Sequence, residues 1–205
     1  MKTKLLLCAV GFASFLFAEK AQSQTLVTTF VEINPSVPVY GSINGGYFLD
    51  IPSGVSVFTD FASFCVDPTQ SLSYGQSVIY EIQDPASLVN ATLVAKLMGG
   101  YLSSSMTALD AAAVQWAIWE VVAELSPTKS LSSGNIVIAP ADAEDTAVRS
   151  LAETYLQNID SFQPVEFTYL TNDEHQDVVA YGVVPEPTTL ALSTLSAFLL
   201  IRRRR

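Results

Sequence analysis

From Thr25 to Ile82 the apolar positions come as short runs of Val, Thr, Phe and Tyr, and after Ser87 they recur at helical intervals. The first region is broken at Pro35, Pro38, Gly41, Gly45-Gly46, Pro52 to Gly54 and Gly75, which divides it into strands. The expected strands are Thr25 to Ile33, Tyr47 to Ile51, Val55 to Thr59, Ala62 to Val66 and Ser77 to Ile82. Ser87 then caps an expected helix from Leu88 to Met98, closed by Gly99-Gly100. The strongest helical segment is Thr107 to Leu125. Thr107 is its N-cap, Asp110 follows three residues on, and no Gly or Pro interrupts it. Its Val114, Ile118, Val121, Val122 and Leu125 define one apolar face, with Gln115 at the edge of the stripe. A Ser-, Pro- and Gly-rich loop, Ser126 to Gly134, leads to a third helix from near Pro140 to about Gln157. Two strands, Val165 to Leu170 and Val178 to Val183, return to the sheet. The pattern predicts an α+β domain, an antiparallel β sandwich or barrel with a helical insert of about three helices.

The two ends carry different signals. Lys2 and Lys4 precede an apolar stretch from Leu5 to Phe17, and Ala21-Gln-Ser23 supplies a small-x-small cleavage pattern, so residues 1–23 are expected to be a secretory signal peptide. Cys8 lies within it and is expected to be discarded. At the other end, Pro185-Glu186-Pro187 leads into an apolar run of 14 residues, Thr188 to Ile201, followed by Arg202, Arg203, Arg204 and Arg205. Such a run is shorter than the roughly 20 residues that comfortably span a bilayer as a helix. It predicts a transient anchor, with the arginines held in the cytoplasm and the body outside. These paired ends resemble the PEP-CTERM class of exported bacterial proteins. The resemblance implies that an exosortase-type processing enzyme reads residues 184–205 at the inner membrane and cuts near the tripeptide. The body then passes to the cell surface or extracellular matrix of a Gram-negative type of cell.

With the ends removed, residues 24–183 are the length of one domain with a sizeable core. The full chain of 205 residues has a formal charge of −10, but the body keeps only Lys96, Lys129 and Arg149 against 18 acidic side chains. That balance excludes nucleic acid as a partner and disfavours anionic membranes. High apolar content argues for a secreted globule over a disordered chain. His175 is the single histidine, and the acidic segments around it and at Asp142 to Asp145 lack the glycine and ligand spacing of a calcium loop. No nucleophile elbow, zinc-protease, P-loop or dinucleotide pattern is present, so neither a cofactor nor a turnover enzyme is expected. Tyr40, Tyr47, Tyr74 and Tyr80 fit core packing of strands better than a carbohydrate-binding surface.

The remaining chemistry centres on Cys65, the single cysteine of the body, within Phe64-Cys65-Val66-Asp67. It has no partner for an intramolecular disulfide, and an exposed thiol outside the cell is liable to oxidation. Burial, intermolecular pairing and another covalent bond are the alternatives. Val114-Gln115-Trp116-Ala117-Ile118-Trp119 places a glutamine among apolar and aromatic residues on the best helix, where a buried amide needs a partner. Together, Phe64-Cys65 and Val114-Gln115-x-x-Ile118-Trp119 resemble the two motifs of the Cys-Gln thioester domains of bacterial surface adhesins. Leu97 to Tyr101 is similar to the segment that precedes the glutamine there. The resemblance implies a bond between the Cys65 sulfur and the Gln115 side-chain carbonyl, formed with loss of ammonia and shielded by Phe64, Trp116 and Trp119. It also implies single-use covalent attachment to an amine- or hydroxyl-bearing surface protein or polysaccharide. Asp67 and Glu120 are the carboxylates near the two motifs, but neither is singled out as a base, and no oxyanion donor is legible.

Overall fold

The structure is a computed structural model that describes residues 24–124 and 129–182. The expected signal peptide, the sorting tail with Pro185, Glu186, Pro187 and Arg202 to Arg205, and the helix-terminal Leu125 lie outside the described residues. Among the described residues, seven strands and three α-helices follow in the order β1 (Thr25–Ile43), β2 (Leu49–Phe58), β3 (Ala62–Cys65), β4 (Ser77–Gln83), α1 (Ala91–Leu102), α2 (Ala108–Ala123), β5 (Ile136–Ile138), α3 (Ala143–Gln157), β6 (Thr168–Thr171) and β7 (Val178–Tyr181).

All pairings in the sheet are antiparallel, in the order β2-β3-β7-β6-β4-β1-β5. The long strand β1 makes this possible by serving three partners in turn. Thr25 to Thr29 pair with β4, Phe30 to Gly41 with β2, and Gly41 to Ile43 with β5. Because β1 also pairs with β2, the ladder β1-β2-β3-β7-β6-β4 returns to its starting strand. Closure of this kind removes exposed edges along much of the sheet.

Several boundaries differ from the pattern in the sequence. β1 continues past Ile33 through Pro35 and Pro38, where Pro38 faces Pro52 of β2 and the register shifts between Ile33 and Ser36. Among the described residues, β1 has a ladder partner on one side only between its β4 and β5 segments, so the missing proline N–H groups break no second ladder there. β2 likewise joins the two short strands expected on either side of Pro52 to Gly54. β5 falls where no strand is expected, because a three-residue Ile-Val-Ile run carries little pattern by itself.

The helices pack in order of burial. Every residue of α2 from Ala111 to Val121 is buried, so this helix has no solvent face and Gln115 is not at the edge of a stripe. Its N-terminus holds the expected capping box, with Thr107 and Asp110 bonded reciprocally. α3 packs against α2 and begins at Asp142, whose side chain accepts from the Asp145 amide. α1 runs through Gly99-Gly100 instead of ending there. Those glycines permit a close crossing: a Cβ at Gly99 would strike the Gln163 carbonyl, and one at Gly100 would lie 2.9 Å from the Phe162 ring. The Val165 amide completes the crossing by donating to the Ala95 carbonyl at 3.2 Å.

Candidate functional site

The site begins with a gap in the sheet. β2 and β3 pair at Val57↔Ala62 and Ser56↔Ser63 and go no further. On the other side of β3, the Val66 amide donates to the Asp177 carbonyl of the β7 approach at 2.9 Å. Alternation along the strand therefore turns the N–H and C=O of Cys65 away from β7, toward the side where β2 has left the ladder.

Gln115 fills that gap from the middle of α2. The Cys65 amide donates to Gln115 Oε1 at 2.9 Å, and Gln115 Nε2 donates to the Cys65 carbonyl at 2.8 Å. Both residues are 2 % exposed, and they lie 50 positions apart in the chain. The primary amide thus presents an acceptor and a donor where a neighbouring strand would present its own. The pairing fixes the carbonyl carbon of Gln115 beside the residue that carries the thiol. It also sets a main-chain N–H on the carbonyl oxygen, the position required of a donor to an oxyanion. That donor carries no signature in the sequence, since any residue except proline has an N–H.

The thiol itself donates to the main-chain carbonyl of Asp67 at 3.2 Å. The Asp67 carboxylate is turned to Thr69, accepting from its amide at 2.8 Å and its hydroxyl at 2.6 Å. Burial pushes the Cys65 thiol well above its ordinary range, and the nearby Trp119 indole and the hydrogen bond to the Asp67 backbone oppose this only in part. Glu120 is also separate from the thiol: one carboxylate oxygen accepts from the Ser130 amide at 2.8 Å.

The residues expected to shield the pair divide between two roles. Phe64, on the opposite face of β3 from Cys65, packs edge-on against Tyr101 at 5.2 Å and nearly parallel to Tyr181 at 5.9 Å. Val114 and Ile118 are fully buried in the same core. Trp116 lies across Gly41, where any Cβ would overlap its ring, and its indole donates to Ser53 Oγ at 2.8 Å. Trp119 stands edge-on to Trp116 at 5.3 Å. Of these five, Trp119 alone lines a cavity of about 250 Å³ that also touches Cys65 and Gln115. Phe30, Ile33, Ile51 and Leu72 supply apolar walls, and none of the described lining residues is charged.

Of the other sequence candidates, Tyr74 lines the same cavity as Cys65 and Gln115, and among the described residues none makes a hydrogen bond to the pair. Tyr80 is buried and donates to the Gln176 carbonyl at 2.9 Å, whereas Tyr47 and Tyr74 are 92 % and 69 % exposed. Tyr40 packs against Phe48. His175 meets the Gln76 amide at 3.1 Å. Among the described residues, no group of three His, Cys, Asp or Glu is arranged to hold a metal ion, and no helix is long and apolar enough to cross a membrane. No family model, curated protein or solved structure matches the chain.

Glu120 carries a prediction of its own. It is fully buried, and burial raises its carboxyl from 4.5 to about 7, with Glu124 adding to the rise and the Ser130 amide and Lys129 opposing it. The folded state therefore holds this proton more tightly than the unfolded chain. The resulting stabilisation is complete below about pH 4.5 and is lost as the pH rises through about 7. Glu120→Gln keeps an acceptor for Ser130 and removes the titration. Thermal unfolding measured from pH 4.5 to 8 is expected to show a flatter profile for the variant and a higher Tm than wild type at pH 8.

Proposed function

We propose that this chain is an exported surface or matrix protein whose Cys65 and Gln115 join in an internal thioester, a single-use covalent anchor to an amine or hydroxyl of a partner. The observation that carries this reading is the reciprocal pairing of the Gln115 amide with the Cys65 backbone in a buried site. Proximity of this kind replaces much of the catalytic power that a free thiol and amide lack, with effective molarities on the order of 10⁵ M or more. In formation, the sulfur attacks the Gln115 side-chain carbon, the C–S bond forms, and the C–N bond breaks. The thiol proton leaves with the nitrogen as ammonia. The Cys65 N–H supports the oxyanion between these events. In attachment, a partner's nucleophile displaces the sulfur and the thiol is restored, so the bond made to the partner is not turned over.

The accompanying fold reading is a small barrel, formed by the closed ladder of six strands, with the helical stretch inserted between β4 and β6. The terminal segments supply the proposed route: a signal peptide for export, then a transient inner-membrane anchor removed by an exosortase-type enzyme. The excess of acidic side chains on the body favours approach by lysine-rich partners through charge complementarity.

Intact mass tests the thioester directly. Wild type is expected to be lighter by one ammonia than its sequence requires and to gain one methylamine on treatment, while Cys65→Ala does neither. A full sequence mass with a thiol that titrates only on unfolding would sink the proposal. It would favour a second reading, a non-covalent structural or carbohydrate-binding matrix component. That reading draws on the same geometry, because the Gln115 amide satisfies the Cys65 backbone without any covalent bond, and on the exposed rings of Tyr47 and Tyr74.

A further inference from the structure

Two buried polar atoms around the Cys65–Gln115 cavity have no hydrogen-bond partner among the described residues: the indole N–H of Trp119, a donor, and Oε1 of Gln70, an acceptor. Unpaired buried groups cost about 1–3 kcal/mol each, and native structures contain few of them. Trp119 is 3 % exposed and lies four residues beyond Gln115, on the same face of α2. Its ring is held by the edge-on contact with Trp116, which is itself tied to Ser53. The orientation of Gln70 is fixed by its other end, where Nε2 faces the Asp173 carbonyl at 3.3 Å and the Asn172 carbonyl at 3.5 Å. A donor and an acceptor left open beside one thiol and one amide carbon suit a reaction in which sulfur gains charge and a nucleophile brings a hydrogen.

We propose that Trp119 is a catalytic hydrogen-bond donor to the Cys65 sulfur, and that the adjoining cavity receives an uncharged nucleophile on an alkyl stem, its N–H or O–H accepted by Gln70 Oε1. This rests on the thioester reading. When a neutral amine attacks, its lone pair forms a C–N bond to the Gln115 side-chain carbon and the C–S bond breaks. One amine hydrogen ends on the sulfur. No lysine, arginine or histidine is among the described residues lining the cavity, so the departing sulfur draws on Trp119 while it is negative. Trp119 is also the main influence that favours the thiolate at Cys65 against burial. The same uncharged walls make it costly for an ammonium or a carboxylate to enter. An alkyl chain, by contrast, gains from contact with Phe30, Ile33, Ile51 and Leu72.

The test compares wild type, Trp119→Phe and Gln70→Met by intact mass during reaction with butylamine and with 4-aminobutyrate. Salt screens the acidic surface, and a small-molecule thioester gives the intrinsic ratio of the two amines. Wild type is expected to prefer butylamine by at least about tenfold beyond that ratio, and each variant to react at least about tenfold more slowly with butylamine. A folded Trp119→Phe that fails even to lose ammonia also supports the donor role, because formation and attachment share one carbon–sulfur bond. An intact ammonia deficit with unchanged variant rates overturns the roles of Trp119 and Gln70 and leaves the thioester standing. Equal preference for the two amines overturns the uncharged cavity as the receiving site, and this wild-type measurement decides that point even where a variant does not fold. Absence of the ammonia deficit in wild type overturns the thioester reading and this inference together.

Discussion

Measured from the fold with the Gln115 amide intact, Gln115→Ala is expected to destabilise by about 2–6 kcal/mol and Cys65→Ala by about 1–2 kcal/mol, and any crosslink is lost equally from both. The difference arises because the two substitutions remove different halves of the site. Alanine at 115 strips the partner from both the N–H and the C=O of Cys65, two buried main-chain groups that no strand reaches on that side. Each unsatisfied group costs about 1–3 kcal/mol. A loss of this size is a large share of the 5–15 kcal/mol that holds a typical domain together. Alanine at 65 leaves the main chain unchanged, so the Gln115 amide keeps both bonds and only a small apolar volume is lost. Both variants abolish any thioester. Chemical denaturation of the pair, read as a shift in midpoint at constant slope, checks the assignment. Equal costs for the two would mean that the Gln115 amide is not what completes β3.

Local signals in the chain were legible where the physics is local. The Thr107–Asp110 capping box marks the start of α2 because its two hydrogen bonds are made within four residues. The change from period-2 runs to helical spacing locates the boundary between the strands and the helical stretch. Signals that depend on distant packing misled. Gly99-Gly100 reads as a helix stop, yet it is the crossing point of residues 162–165, more than sixty positions away. Pro35 and Pro38 read as strand ends, yet β1 continues because one of its sides is free there. The composition of α2 marks a helix but not a face, since neighbours surround it on all sides. The site divides in the same way. Cys65 and Gln115 were singled out by their two motifs. The main-chain donor came only from the fold, because it depends on which backbone groups β2 leaves unpaired, and the open atoms of Trp119 and Gln70 show only once the cavity is packed.

Trp116→Ala should cost about 3–5 kcal/mol, the range for removing a large buried aromatic side chain. Trp116 is fully buried, and its surroundings give the cavity little chance to collapse. On one side is Gly41 of β1, a position already without a side chain; on another is Ser53 of β2, whose hydroxyl would lose the indole donor. Trp119 would lose the ring against which it stands. The consequence reaches the candidate site through the helix. Gln115 is the preceding residue, and α2 is set over the sheet by two neighbouring contacts: Trp116 on β1 and β2, and the Gln115 amide on β3. Loosening the first should let the second drift, so Trp116→Ala is expected to show a smaller fraction of protein lacking ammonia as well as a lower unfolding midpoint. Ser53→Ala separates the two effects. It removes one hydrogen bond and keeps the ring, so it should lower stability by about 1–3 kcal/mol while leaving the ammonia deficit intact. An unchanged deficit in a folded Trp116→Ala would show that β3 and the Gln115 amide align the reacting groups without help from the ring beside them.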